Sequence, residues 1–278
     1  MTIHEAWAYG TRRLAQASFM SDLDARLLLE FVLQQGHSYL IAHGEELLTA
    51  RQAETYERLL ARAEKKEPIP YVIGEAPFYG LTLAVSPAVL IPRPETEQLV
   101  DHVLAWAGEH DVHDIIDVGT GSGCIAIALA VNLPEVAITA TDKSAAALAV
   151  ARDNAARLAN GRVRFLQGHL LEPAENRFDV IVANLPYIGD SEWSLVDDGV
   201  KLYEPAIALE GGPDGLDLIR ILLQQAPASL RPGGVIFLEI GWQQGRAVEQ
   251  LARKVLPIAD TTVFPDYAGH DRIVRLVV

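Results

Sequence analysis

Residues 114–124 read Asp-Ile-Ile-Asp-Val-Gly-Thr-Gly-Ser-Gly-Cys. An apolar run ending at Val118 leads directly into Gly119, Gly121 and Gly123, and an apolar helical stretch, 124–131, follows. Strand, glycine turn and helix in this order open a βαβ unit, where glycines let the backbone turn tightly and approach a ligand with no Cβ in the way. Outward from this stretch the alternation continues. The patterning predicts strands at 136–141, 163–167, 179–183 and 235–240, with helices at 145–159, 216–230 and 245–255. Residues 261–264 and 272–278 close the chain as an antiparallel pair at the sheet edge. The expected fold class is α/β: a doubly wound, mostly parallel seven-stranded sheet with ligands at the carboxyl ends of its strands.

Ahead of this domain, residues 1–67 read as a small helical domain. Leu23, Ala25, Leu27, Leu28, Phe31 and Val32 recur at helical spacing behind Ser21 or Asp22 as a cap. A second helix, 49–67, places Tyr56, Leu59, Leu60 and Ala63 on one face. With no glycine-rich loop and no cluster of potential metal ligands, this domain suits packing or partner recognition. Between 68 and 93 five prolines (68, 70, 77, 87, 92), with Gly74 and Gly80, break helices, and strands expected at 71–73 and 81–85 form a β-hairpin linker. Pro94 opens the next helix, with Glu95 and Glu97 at its positive end, so the third segment is 94–278.

Composition narrows the function classes. The 278 residues include 37 acidic and 23 basic side chains, a formal charge of −14, which disfavours binding to a polyphosphate backbone. The single cysteine, Cys124, excludes an intrachain disulfide and suits a reducing compartment. No stretch approaches 18 uninterrupted apolar residues, and the first residues lack the pattern of a secretory or organellar presequence. A cytoplasmic monomer without membrane association is expected. The histidines are scattered, so no metal site is expected.

The glycine turn departs from the common nucleotide patterns. A G-x-G-x-x-G dinucleotide turn would need glycine where Cys124 stands, and a P-loop would need a lysine that is absent. Asp117 would sit badly beside a pyrophosphate. Asp142, ending the second strand 21 residues after Gly121, can accept from both hydroxyls of a ribose. An adenosine half joined to a cationic amino-acid half meets these demands, and S-adenosyl-L-methionine, giving S-adenosyl-L-homocysteine as product, is such a molecule. The other reading is an ordinary glycine turn with an incidental aspartate. At the end of the fourth strand stand Asn184-Leu185-Pro186-Tyr187, an amide followed by proline and an aromatic. Alone this could be an Asn-x-Pro turn with a core tyrosine. Following the glycine turn in this order, it resembles the Asn/Asp-Pro-Pro-Tyr/Phe motif of methyltransferases that alkylate planar NH2 groups.

The resemblance then narrows to one family. Asp24–Leu29, Ile91-Pro92-Arg93-Pro94-Glu95-Thr96-Glu97, Asp117–Gly123, Asn184–Tyr187, Tyr203-Glu204-Pro205, Gly211–Leu216, Pro232–Gly234, Leu238–Gly241 and Ala268–Arg272 are similar to segments of the HemK/PrmC-type protein-(glutamine-N5) methyltransferases, over nearly the whole chain. The resemblance implies methylation of the glutamine in the Gly-Gly-Gln loop of peptide-chain release factors. It implies that Asp117, Gly119, Thr120, Gly121, Ser122 and Gly123 hold the methionine half and Asp142 the ribose. His169 and Leu170 stand where the family contacts adenine, with His169 replacing the usual aspartate. Asn184 and the Leu185 carbonyl would grip the amide, with Pro186 and Tyr187 beside it and Arg93 and Glu95 near the substrate. Leu185 replaces the family's first proline. Arg93 and Glu95 can equally be a helix start with surface charges, and Glu204 and Asp214 either loop formers or rims of the entrance. A ribosomal-protein glutamine methyltransferase, an RNA or DNA amino-methyltransferase and a binding module without turnover are the alternatives.

Overall fold

In a computed structural model covering residues 1–278, β6 (Phe178–Asn184) shows how the main sheet is built. Val180 and Val182 point to one face and Ile181 and Ala183 to the other, each face joining a separate buried cluster. A strand covered on both sides reads as an unbroken apolar run, which is why β3 (Asp114–Val118) and β6 lack the alternation of a half-exposed strand.

The sheet has seven strands in the order β5-β4-β3-β6-β7-β9-β8, where β4 is Ala137–Asp142, β5 Val163–Gln167, β7 Leu230–Glu239, β8 Asp260–Pro265 and β9 Asp271–Val277. The first five run parallel, and β9 pairs antiparallel with both β7 and β8. Side chains of α6 (Pro94–Glu109), α7 (Cys124–Asn132) and α8 (Ala145–Leu158) enter one cluster, and those of α10 (Asp217–Ser229) and α11 (Gly245–Val255) the other. The chain moves outward through β4 and β5, then returns to lay β6 on the other side of β3. That reversal opens a crevice at the carboxyl ends of β3 and β6, the place where α/β sheets bind ligands.

The chain divides into two units, Met1–Glu75 with Asp197–Tyr203, and Ala76–Val196 with Glu204–Val278. In the first, α1 (Ile3–Leu14) and α4 (Ala50–Ala63) each begin with a capping box, Thr2 with Glu5 and Thr49 with Gln52. These helices pack with α2 (Ser21–Leu33), α3 (His37–Ala42) and α5 (Ile69–Ile73) around Leu28, Leu29, Tyr56 and Leu60. Tyr56 donates its hydroxyl to the Ala25 carbonyl at 3.1 Å, and Gly10 leaves room for that ring. The short α9 (Asp198–Tyr203) belongs to the same unit, its Asp198 pairing with Lys66 at 2.6 Å and Tyr203 donating to the Lys65 carbonyl at 3.0 Å.

Three local expectations are corrected. Residues 71–73 are helical, not a strand, because Pro70 sits in the first turn of α5, where its fixed φ favours a helix, and Gly74 ends it at φ +82°. The hairpin is β1 (Glu75–Phe78) with β2 (Leu81–Ala84), and from Ala76 onward it belongs to the second unit. There Asn154 bonds both the N–H and the carbonyl of Ala84, at 2.8 and 2.9 Å. The N-cap of α2 is Met20 with no side-chain cap, rather than Ser21 or Asp22.

Candidate functional site

The glycine turn is held from within its own loop and from the next strand. Gly119 and Thr120 donate their N–H groups to the Thr141 carbonyl, both at 2.9 Å. Gly121 donates to Asp142 Oδ2 at 2.9 Å, and Ser144 to Asp142 Oδ1 at 2.8 Å. Gly119, Gly121 and Gly123 all have positive φ, and a Cβ on Gly123 would lie 2.9 Å from Ile127 Cδ1, so this glycine also sets the contact between α7 and the turn. Asp117 is fully buried. Its Oδ2 accepts from Thr120 Oγ1 at 2.6 Å and from the Ala126 N–H at 3.2 Å, and burial pushes its carboxyl up to about 7.

Across the crevice, the register places Ala183 beside Val118 and Asn184 beside Glu239. Asn184 Nδ2 donates to Thr96 Oγ1 at 3.1 Å, and the Thr96 hydroxyl donates to Glu239 Oε2 at 2.6 Å. Glu239 is buried at the carboxyl end of β7, and desolvation pushes it up to about 7, against the pull of Thr96 and Arg272. Arg93 pairs with Glu204 at 2.5 Å, while the other oxygen of Glu204 accepts from the Ile91 N–H at 3.1 Å. The Glu204 carboxylate is completely buried, so this pair ties the 204–216 loop to the segment before α6. Asp214 accepts from the Leu216 N–H at 3.2 Å and pairs with Arg220 at 2.7 Å. Both Glu204 and Asp214 therefore form loops.

Between these two sides lies a cavity of about 500 Å³, lined entirely by residues of the second unit. Of the residues singled out in the sequence, Gly119, Thr120, Gly121, Ser122, Asp142, His169, Leu170, Asn184, Leu185, Pro186 and Arg93 line it. Asp117, Gly123, Tyr187 and Glu95 do not. Asp117 faces Thr120 and α7 from below the turn, and Gly123 packs on Ile127. Tyr187 lies against Gly241 with its phenol pushed up to about 12, chiefly by burial, and Glu95 is exposed on the first turn of α6. Thr96 and Glu239 carried no functional reading in the sequence. The signal for Glu239 was a lone carboxylate at the end of the apolar strand segment 235–238. Lys143, Glu210 and Asp217 also line the cavity.

These residues suit S-adenosylmethionine. The Gly121 N–H, which in a phosphate site would face the ligand, is already given to Asp142. Carboxylates at Asp142, Glu210 and Asp217 favour a cationic guest, and Leu170, Ile125 and Val89 offer apolar walls for a nucleobase.

Residues 5–74 match the PrmC N-terminal domain, and residues 96–198 the methyltransferase small domain. The release factor glutamine methyltransferase of Koribacter versatilis is 41% identical over 277 residues, covering 99% of this chain and 98% of that one. That of Moorella thermoacetica is 42% identical over 275 residues, 98% of this chain and 97% of that one. A solved methyltransferase from Pyrococcus furiosus superposes with a TM-score of 0.52 at 19% identity, over 71% of this chain and 89% of that one. The Thermus thermophilus 16S rRNA N2 G1207 methyltransferase, solved with AdoMet and guanosine, gives 0.50 at 19% identity, over 73% and 49%. Both share the fold of class I methyltransferases. With two family domains in order and relatives of this identity over nearly its whole length, the chain belongs to the release factor glutamine methyltransferases, enzymes that use S-adenosylmethionine as methyl donor.

Proposed function

We propose that the protein transfers a methyl group to the side-chain amide nitrogen, N5, of the glutamine in the Gly-Gly-Gln loop of peptide-chain release factors. The observation that carries this reading is the placement of Asn184 at the carboxyl end of β6, on the wall of the same cavity as the glycine turn and Asp142. S-adenosylmethionine, when bound, supplies an electrophilic methyl on a sulfonium. The chain's task is to hold a poor nucleophile against it, because an amide nitrogen shares its lone pair with its carbonyl. Asn184 Oδ1 and the Leu185 carbonyl each accept one N–H of the glutamine amide, which fixes the nitrogen and polarises both N–H bonds. As the new N–C bond forms and the methyl–sulfur bond breaks, one amide proton is released to water. Leu185 substitutes for proline without loss of this acceptor, since the position acts through its carbonyl. Asp142 binds the ribose, and His169 and Leu170 flank the base. Catalysis then rests on positioning and electrostatics rather than on a strong base.

The helical unit would recognise the body of the release factor, as its match to the PrmC N-terminal domain suggests. A substrate that works on the ribosome puts the enzyme in the cytoplasm. Incubation with labelled S-adenosylmethionine and three acceptors tests the reading: a release factor, its Gly-Gly-Gln→Gly-Gly-Ala variant and total RNA. Label confined to the unmutated factor is expected. Label in RNA, or in the variant as strongly as in the parent, would overturn it.

A further inference from the structure

Asn184 sits at the end of a short hydrogen-bonded chain. Its Nδ2 donates to Thr96 Oγ1, and Thr96 donates to Glu239 Oε2, a carboxylate with almost no exposure. A hydroxyl has one hydrogen, and an ionised carboxylate can only accept. The hydrogen of Thr96 is therefore committed to Glu239, and what remains for Asn184 is a lone pair. Only the NH2 edge of the amide can satisfy that lone pair, so the oxygen edge must turn the other way.

We propose that Thr96 and Glu239 are positioning residues that lock the Asn184 amide with its oxygen free to accept the substrate N–H. The proposal rests on the functional reading above. A protonated Glu239 would reverse the chain: its O–H donates to Thr96, the Thr96 hydrogen becomes free to bond Asn184 Oδ1, and the amide loses its fixed edge. Burial pushes Glu239 up to about 7, with Glu95 acting in the same direction, while hydrogen bonds from Thr96 and directly from the Asn184 amide, together with Arg272, oppose it. Two further groups feel the Glu239 charge: Tyr187, its phenol pushed up to about 12, and the half-buried thiol of Cys124, also raised to about 12. Both stay protonated through the range in which Glu239 titrates. Methyl transfer should therefore fall on the acid side of neutrality while cofactor binding does not follow the same curve.

The test compares the full-length wild type with Thr96→Val and Thr96→Ser, using labelled S-adenosylmethionine and an intact release factor from about pH 5.5 to 8.5, with cofactor affinity measured by calorimetry. Thr96→Val keeps the shape and removes the hydroxyl. Its kcat should fall on the order of 10- to 100-fold, as when a reacting group loses its orienting partner, with cofactor Kd unchanged and the acid limb weakened. Thr96→Ser should restore both rate and limb, which a merely structural role would not require. A wild-type rate and profile in Thr96→Val, or a serine variant as slow as the valine, would overturn the proposal. If the wild type methylates no release factor, the functional reading fails instead, and the lock is then judged by NMR. The side-chain NH2 signals of Asn184 should titrate near neutrality in the wild type and not in Glu239→Gln, and flat wild-type signals would overturn it.

Discussion

Two buried carboxylates stand at the carboxyl ends of the central strands, Asp117 on β3 and Glu239 on β7, and burial pushes each up to about 7. Each accepts a hydroxyl at 2.6 Å, Asp117 from Thr120 and Glu239 from Thr96. The chemistry is the same and the wiring is not. Asp117 bonds to residues 3 and 9 positions further along the chain, in the turn and in the start of α7, and closes the glycine turn on itself. Glu239 bonds to a residue 143 positions earlier, and through it to an amide on the cavity wall. One carboxylate shapes backbone; the other orients a side chain. Loss of the first should appear in stability, and loss of the second in rate.

The sharpest break between the two regions is expected at Asn184. Asn184→Ala should raise the barrier to methyl transfer by about 2.7–4 kcal/mol, as for loss of one positioned polar partner at a reacting group, while cofactor affinity measured by calorimetry holds. Turnover near that of the wild type would remove Asn184 from the mechanism. Thr120→Val, the counterpart of Thr96→Val, should instead cost about 1.5–3 kcal/mol of unfolding free energy in denaturant melts above neutrality, because it strips a charge-directed hydrogen bond from a buried carboxylate. Its methylation profile against pH should keep the wild-type shape. A lost acid limb there would mean that both carboxylates govern the rate, and the contrast would fail.

The third expected effect is a slope. The carboxyl of Asp117 lies near 3.8 when exposed and near 7 in the folded protein. Between those values the native state holds a proton that the unfolded chain has released. The contribution is therefore complete below the unfolded value and is lost as pH rises, at about 1.4 kcal/mol per pH unit. Asp117→Asn, uncharged at every pH, should flatten this part of the stability curve. An unchanged slope in that variant would show that Asp117 is already ionised in the folded protein.

The difference in wiring also explains what could be read in the sequence. The turn was legible because its requirements are local: a strand, three glycines and a helix in consecutive positions, then a carboxylate at the end of the next strand. The two apolar faces of the sheet were legible for the same reason. Asn184 and Pro186 were visible as a motif, whereas Thr96 and Glu239 were not, because nothing in sequence joins residues 143 apart. Tyr187 was visible in the same motif, but its packing against Gly241 was not, since a motif gives a residue's type and not its rotamer. Pro68 and Pro70 looked like helix breakers, yet proline in a first turn favours a helix, so α5 took the place of the strand expected at 71–73. The short α9, folded with the helical unit from within the catalytic sequence, had no periodic signature of its own.

The central claim concerns which edge of Asn184 meets the substrate. A crystal structure of the protein with S-adenosylhomocysteine and a Gly-Gly-Gln peptide would settle it directly. The expected result is the glutamine amide nitrogen within hydrogen-bond distance of both Asn184 Oδ1 and the Leu185 carbonyl, with Asn184 Nδ2 still on Thr96. A glutamine amide held elsewhere in the cavity, or an Asn184 that presents its NH2 edge to it, would contradict the account.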